Sequence, residues 1–194
     1  MNVFTDNKNF YPTPETLIAK MWDKIDKKRS IQNILEPSAG KGDIADYICK
    51  NYISQNKIDC IEFDDTLRDV LIGKTFRVVE KDFLKYNSRK HYDCIIMNPP
   101  FDKGSKHLLK AIQIAENNGG SQIVCLLNAE TLFNLYSNDR KLLQRKLSKY
   151  DAEVEMLGEA FSDAERKTDV QVALVYINIP EPTYTSKLLE GIEK

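Results

Sequence analysis

The chain has 194 residues, 42% of them hydrophobic and 29% charged, with 7 Pro, 8 Gly and a formal net charge of −1. That composition excludes a collagenous, low-complexity or wholly disordered protein. A near-zero charge gives no general support for nucleic-acid binding, so any such surface must be a local patch. At ~100–200 residues per domain, residues 1–194 are expected to form one unit, with a loose arm over 1–9 and a tail over 180–194; a core of this size needs no disulfide or metal staple. No apolar run approaches the ~18–20 residues of a membrane span. The opening Met1-Asn2-Val3-Phe4-Thr5-Asp6 has neither the basic start nor the apolar core of a signal peptide, so a cytoplasmic location and no membrane partner are expected.

Taken in chain order, the pattern alternates helix and strand. Residues 14–27 read as a helix, with Thr13 as a plausible N-cap and Pro14 at the first helical position. Residues 31–36, 58–63, 76–79, 92–97 and 122–127 are short runs rich in β-branched and apolar side chains, which suits strands covered on both faces. Helical stretches lie between them at 44–53, 65–72 and 105–116, and another follows at 140–150. This alternation predicts an α/β fold with a parallel sheet. The end differs: 154–157 and 170–179 are strand-like with no helix between them, which predicts an antiparallel pair. The four cysteines, Cys49, Cys60, Cys94 and Cys125, form no CxxC or Cys/His cluster and sit among apolar neighbours, so buried reduced thiols and no metal site are expected.

Two segments carry chemistry. Leu35-Glu36-Pro37-Ser38-Ala39-Gly40-Lys41-Gly42 leaves the first strand and opens a helix. Small residues there let backbone N–H groups approach a ligand. Gly40-Lys41-Gly42-Asp43-Ile44-Ala45 fits the G-x-G-x-x-G/A fingerprint, with Glu62 twenty residues beyond Gly42 to accept ribose hydroxyls. The pattern points to a nucleoside-containing cofactor without choosing between a nicotinamide dinucleotide and S-adenosylmethionine. Lys41 is not a P-loop lysine, because Gly-Lys-Ser/Thr is absent. The second segment is Asn98-Pro99-Pro100-Phe101, at the exit of the strand over 92–97. Two prolines stiffen the turn and remove two N–H donors, leaving the Asn98 side-chain oxygen and the backbone carbonyls as acceptors. Acceptors on the hydrogens of a planar amine draw its delocalised lone pair toward a nucleophilic state and stabilise the positive charge that develops. Phe101 can stack on the ring that bears the amine.

Asn98-Pro99-Pro100-Phe101 resembles the catalytic motif of class I S-adenosylmethionine-dependent amino-methyltransferases, especially the N6-adenine enzymes. Glu36, Pro37, Ser38, Ala39, Gly40 and Gly42 then resemble their cofactor loop, and Glu62 and Phe63 their ribose-binding acid and its neighbour. Asp82 and Phe83 resemble the pair that holds the cofactor adenine, and Tyr11, Pro12 and Thr13 the segment over its methionine end. Motif order matches the arrangement called gamma among DNA amino-methyltransferases. The resemblance implies a Rossmann-like class I methyltransferase fold, a seven-stranded, mostly parallel sheet with an antiparallel last strand. It implies S-adenosylmethionine as cofactor and a nucleic-acid substrate. The wording of the glycine loop is similar to phage and restriction-type enzymes and favours DNA. RNA adenine or N2-guanine methylation is the alternative, and a non-catalytic nucleic-acid-binding subunit is a third reading. No separate target-recognition domain is apparent, so recognition falls to short loops, to a homodimer or to a partner subunit. Phe101, Lys103, Lys106, Phe161 and Lys167 are the candidate substrate contacts, and the segments 102–106, 128–138 and 161–169 the candidate recognition loops. His107 is expected on a helix surface, and the basic row Lys141, Arg145 and Lys149 on a solvated helix face. Cytosine C5 methylation is not expected, because its cysteine nucleophile usually sits in a Pro-Cys pair and no such pair occurs.

Overall fold

The computed structural model describes residues 12–158 and 171–182. The apolar runs form β1 (Ile34–Pro37), β2 (Ile58–Ile61), β3 (Arg77–Glu80), β4 (Cys94–Met97), β5 (Ser121–Asn128), β6 (Glu153–Gly158) and β7 (Val172–Ile179). They make one sheet in the order β3-β2-β1-β4-β5-β7-β6. The first five are mutually parallel; β1 pairs with β2 from Ile34↔Ile58 and with β4 from Ile34↔Cys94. β7 runs antiparallel between β5 and β6, in register from Ser121↔Ile179 to Asn128↔Val172. The expected parallel sheet with its antiparallel C-terminal addition is therefore present.

Strand alternation sends side chains to two cores. On one face Ile34, Cys60, Ile96 and Val124 meet α1 (Glu15–Asp23), α2 (Asp43–Asn51) and α3 (Asp65–Gly73), through Met21, Trp22, Ile48 and Leu71. On the other, Leu35, Ile95, Met97 and Cys125 meet α4 (Gly104–Asn117) and α6 (Asn138–Lys149), through Leu108, Ile112 and Leu143. A single turn, α5 (Glu130–Phe133), precedes α6. Sequence order moves outward through β1, β2 and β3, then returns past β1 to β4. The crevice at the carboxyl ends of β1 and β4 is the switch point where open α/β sheets receive ligands.

Two expectations about the elements need correction. β3 is an edge strand with exposed ends, not a strand covered on both faces. Thr13 does not cap α1: the helix starts at Glu15, with Pro14 as the extended residue before it. No helix covers the sheet between β3 and β4. Buried Asp59 holds that stretch instead: its carboxylate takes Tyr92 Oη at 2.7 Å, Lys90 Nζ at 2.9 Å and Arg77 Nε at 2.6 Å. Cys60, Cys94 and Cys125 are buried thiols as expected, whereas Cys49 is partly exposed.

Candidate active site

At the exit of β1 the backbone turns through left-handed conformations at Ser38, Gly40 and Gly42 before entering α2. β2 holds this loop. Ala39 N–H donates to Ile61 O at 2.9 Å, and Gly40 N–H donates to Glu62 Oε2 at 2.7 Å. The other Glu62 oxygen accepts Asp64 N–H at 2.9 Å. Glu62 is thus first a brace between the glycine loop and the start of α3, with one lone pair of each oxygen spent on backbone.

The Asn98 turn leaves β4, the strand next to β1. Asn98 Nδ2 donates to the buried Thr13 Oγ1 at 3.0 Å, which makes Oδ1 the acceptor end of the amide. Pro100 O accepts Lys103 N–H at 2.9 Å and closes the turn into α4. Pro99 O, by contrast, has no backbone donor among the described residues. The first helical residue, Gly104, packs closely on β5: a Cβ there would lie 2.8 Å from Leu127 Cδ2 and would push that side chain aside.

One cavity of about 730 Å³ joins the two exits, within the ~300–1,000 Å³ usual for small-ligand sites. From the glycine loop and the exit of β2 it is lined by Glu36, Ser38, Ala39, Gly40, Glu62 and Phe63, after β3 by Asp82 and Phe83, and from the Asn98 turn and the start of α1 by Asn98, Pro99, Pro100, Phe101, Lys103 and Thr13. Four further candidates do not line it. Pro37 is buried in β1 and Pro12 precedes α1. Lys106 is on an exposed position of α4. Gly42 faces the core instead, where a Cβ would meet Leu71 Cδ2 at 2.8 Å; its left-handed backbone (φ +89°), more than the movable leucine tip, is what calls for glycine. Tyr11, Phe161 and Lys167 lie outside the described residues.

Sequence reasoning missed His107. Far from lying on a helix surface, it is 7% exposed, lines the cavity and stacks on Phe83 with ring centroids 5.6 Å apart. Burial, with Lys103 nearby, lowers its pKa to about 4, so it is a neutral wall at pH 7. His107 stands four residues before Ala111 and seven before Ile114, which puts it in line with buried positions of the helix, a signal that its polarity obscured. Of the basic row, Lys149 is not simply solvated: it joins Lys146 in pairing with Glu116.

The floor is acidic. Glu36 is 1% exposed, and its Oε2 has no hydrogen-bond partner among the described residues. Burial first, then the nearby Asp43, pushes its carboxyl well above the ordinary range, although Ala45 N–H opposes the shift. Burial likewise raises Glu62 against the Asp64 and Gly40 N–H bonds. Asp82 lines the same space and accepts Leu84 N–H at 3.0 Å. A buried carboxylate oxygen with no cation beside it among the described residues fits a positively charged ligand and opposes a pyrophosphate.

No family model and no curated protein matches the chain by sequence. Solved structures do match. A Pyrococcus horikoshii protein classed as an RNA methyltransferase superposes with TM-score 0.59 at 19% identity, covering 90% of this chain and 86% of its own. A dimethyladenosine transferase from Plasmodium falciparum gives 0.63 at 15%, covering 92% and 65%. The 23S rRNA methyltransferase ErmE gives 0.62 at 15%, covering 89% and 71%. The chain has the class I methyltransferase fold. At these identities the likeness concerns the fold, which serves several acceptor chemistries. Among the described residues no helix is long and apolar enough to cross a membrane.

Proposed function

We propose that the protein is an S-adenosylmethionine-dependent methyltransferase acting on the exocyclic N6 amine of adenine in nucleic acid. The carrying observation is that the Asn98 turn and the acid-lined glycine loop open onto one cavity. Three features support the cofactor over a nicotinamide dinucleotide. Glu36 Oε2 is buried and unpartnered, Glu62 and Asp82 add further carboxylates, and S-adenosylmethionine carries an ammonium and a sulfonium where a dinucleotide carries a pyrophosphate. Gly40 and Glu62 would hold the ribose, Asp82 and Phe83 the adenine, and Glu36 the ammonium end.

Bound there, the cofactor would supply an electrophilic sulfonium methyl. The chain's own part is to raise the nucleophilicity of the amine. Asn98 Oδ1, oriented by the Thr13 contact, and Pro99 O, the carbonyl that Lys103 does not occupy, accept the two amine hydrogens. Phe101 lies against the base. The nitrogen's surplus proton passes to solvent, which needs no basic side chain and agrees with a His107 that stays neutral. A duplex target would first have to be flipped out, at a few kcal/mol.

RNA is placed first as the polymer, because the structurally similar methyltransferases named above include RNA enzymes. DNA is the second reading, favoured by the wording of Leu35–Gly40. Incubation with labelled S-adenosylmethionine and separate RNA and DNA pools, followed by nucleoside mass spectrometry, tests polymer and atom together; label in neither pool refutes the proposal. Asn98→Ala is expected to lower turnover at least about 10²-fold, the scale of losing one preorganised electrostatic partner, with cofactor affinity nearly unchanged. Near-normal turnover would refute the amine activation.

A further inference from the structure

We propose that Phe133, Tyr136 and Arg140 form a stacking platform for an unpaired nucleobase beside the target, so that the protein engages single-stranded nucleic acid. The inference rests on the nucleic-acid reading of the Asn98 turn.

Segment 129–137 leaves the sheet at the carboxyl end of β5, the strand next to β4. Leu127 packs against Gly104 at the close of the Asn98 turn. Ala129 N–H donates to Gln171 O at 2.8 Å, fixing the start of the segment against the strand that enters from the other side. Two large rings project from this short stretch: Phe133 is 70% exposed and Tyr136 73% exposed. Phe63, the other ring of comparable exposure, is explained by the cavity it lines. Phe133 and Tyr136 do not line that cavity and belong to neither core.

Their surroundings suit a base. The Arg140 guanidinium carbon sits 4.6 Å from the Tyr136 ring centroid. The same side chain is clamped by donating to Glu130 O at 3.2 Å and Asn134 O at 3.0 Å. One face of Tyr136 is thereby backed by a fixed cation while the ring stays open to solvent. The hydrogen bonds of Arg140 end on carbonyls rather than a carboxylate, so its charge is not cancelled and remains for a phosphate. At the far end of α6 the arrangement is reversed: Lys146 and Lys149 converge on Glu116. The segments 102–106 and 128–141 carry Asp102, Glu130 and Asp139 as well as Lys103, Lys106, Arg140 and Lys141, so their charge is close to balanced. Affinity should therefore come from stacking on rings, which accepts any base, more than from phosphate neutralisation.

The test uses single-stranded RNA and DNA 12-mers carrying 2-aminopurine, with the wild type, the double variant Phe133→Ala/Tyr136→Ala and the conservative Tyr136→Phe. The wild type is expected to quench 2-aminopurine and to bind duplexes less tightly. The double variant should lose about ten- to a hundredfold in affinity, lose the quench and show a raised KM with unchanged kcat. Tyr136→Phe should keep both. Wild-type methylation of the oligonucleotide combined with unchanged binding by the double variant would overturn the platform and leave the methyltransferase reading standing. No binding and no methylation of any nucleic acid by the wild type would overturn both. Conversion of a wild-type dimer into a monomer by the double variant would show the patch to be a subunit contact and also overturn the platform.

Discussion

Two buried acids on adjacent strands have opposite fates. Asp59 on β2 and Glu36 on β1 are 0% and 1% exposed. Burial alone would raise both carboxyls. At Asp59 the hydrogen bonds from Lys90, Tyr92 and Arg77 outweigh burial and hold the pKa below its ordinary value. At Glu36 burial leads, no cation answers it among the described residues, Asp43 adds repulsion, and the pKa rises well above its ordinary value. The difference separates structure from function. Asp59 draws all its partners from its own chain and fastens the helix-free stretch between β3 and β4. Glu36 faces the cavity with one oxygen unmet, an arrangement that costs stability until something positive arrives.

This contrast gives predictions of opposite sign. The largest effect is expected from Asp59→Ala, which takes the acceptor from the buried Tyr92 hydroxyl and both ion pairs from the solvent-accessible Lys90 and Arg77, and should destabilise by about 2–3 kcal/mol in urea unfolding. Asp59→Asn keeps the shape but loses the charge, and should cost about 1–3 kcal/mol. Glu36→Gln makes the same chemical change with the reverse result: Tm at pH 8 should rise by about 2–4 °C, the scale of ~1 kcal/mol in a domain of this size, while cofactor affinity falls. A lower Tm for Glu36→Gln would mean that Glu36 is satisfied in the free protein and the contrast is false.

The pH dependence carries the same opposition. A lowered folded pKa makes the Asp59 contribution present above its unfolded pKa of about 3.9 and lost as pH falls through the folded value. A raised folded pKa makes the Glu36 term most favourable below about 4.3 and progressively lost as pH rises through the folded value. The stability difference between Glu36→Gln and wild type should therefore vanish near pH 4 and widen toward pH 8. A difference that is flat with pH would remove charge as its cause.

The fold was legible to a large degree because its signals are local and periodic. Short β-branched runs alternating with amphipathic stretches translate directly into β1 to β5 and their helices, and the two closing runs without a helix translate into β6 and β7. The Asn98 turn was legible because two prolines and an asparagine at a strand exit are a chemical statement in four letters. Other features were hidden because they depend on partners distant in sequence. Thr13 looks like a helix cap until Asn98, 85 positions away, is found donating to it. His107 looks like a surface residue until Phe83 stacks on it. Gly42 looks like a ligand contact until Leu71 and Phe76 are seen to fill the space where its Cβ would stand.

From sequence alone, then, came the element types, the switch from parallel to antiparallel pairing and the candidate chemistry of the two loops, all set by short-range periodicity, proline stiffness and residue type. Which acid is braced and which is left wanting, which histidine is a wall, and which aromatics stay outside both cores followed only from folding. Burial and hydrogen-bond satisfaction are set by side chains that meet across the sheet, and no single stretch of chain contains that information.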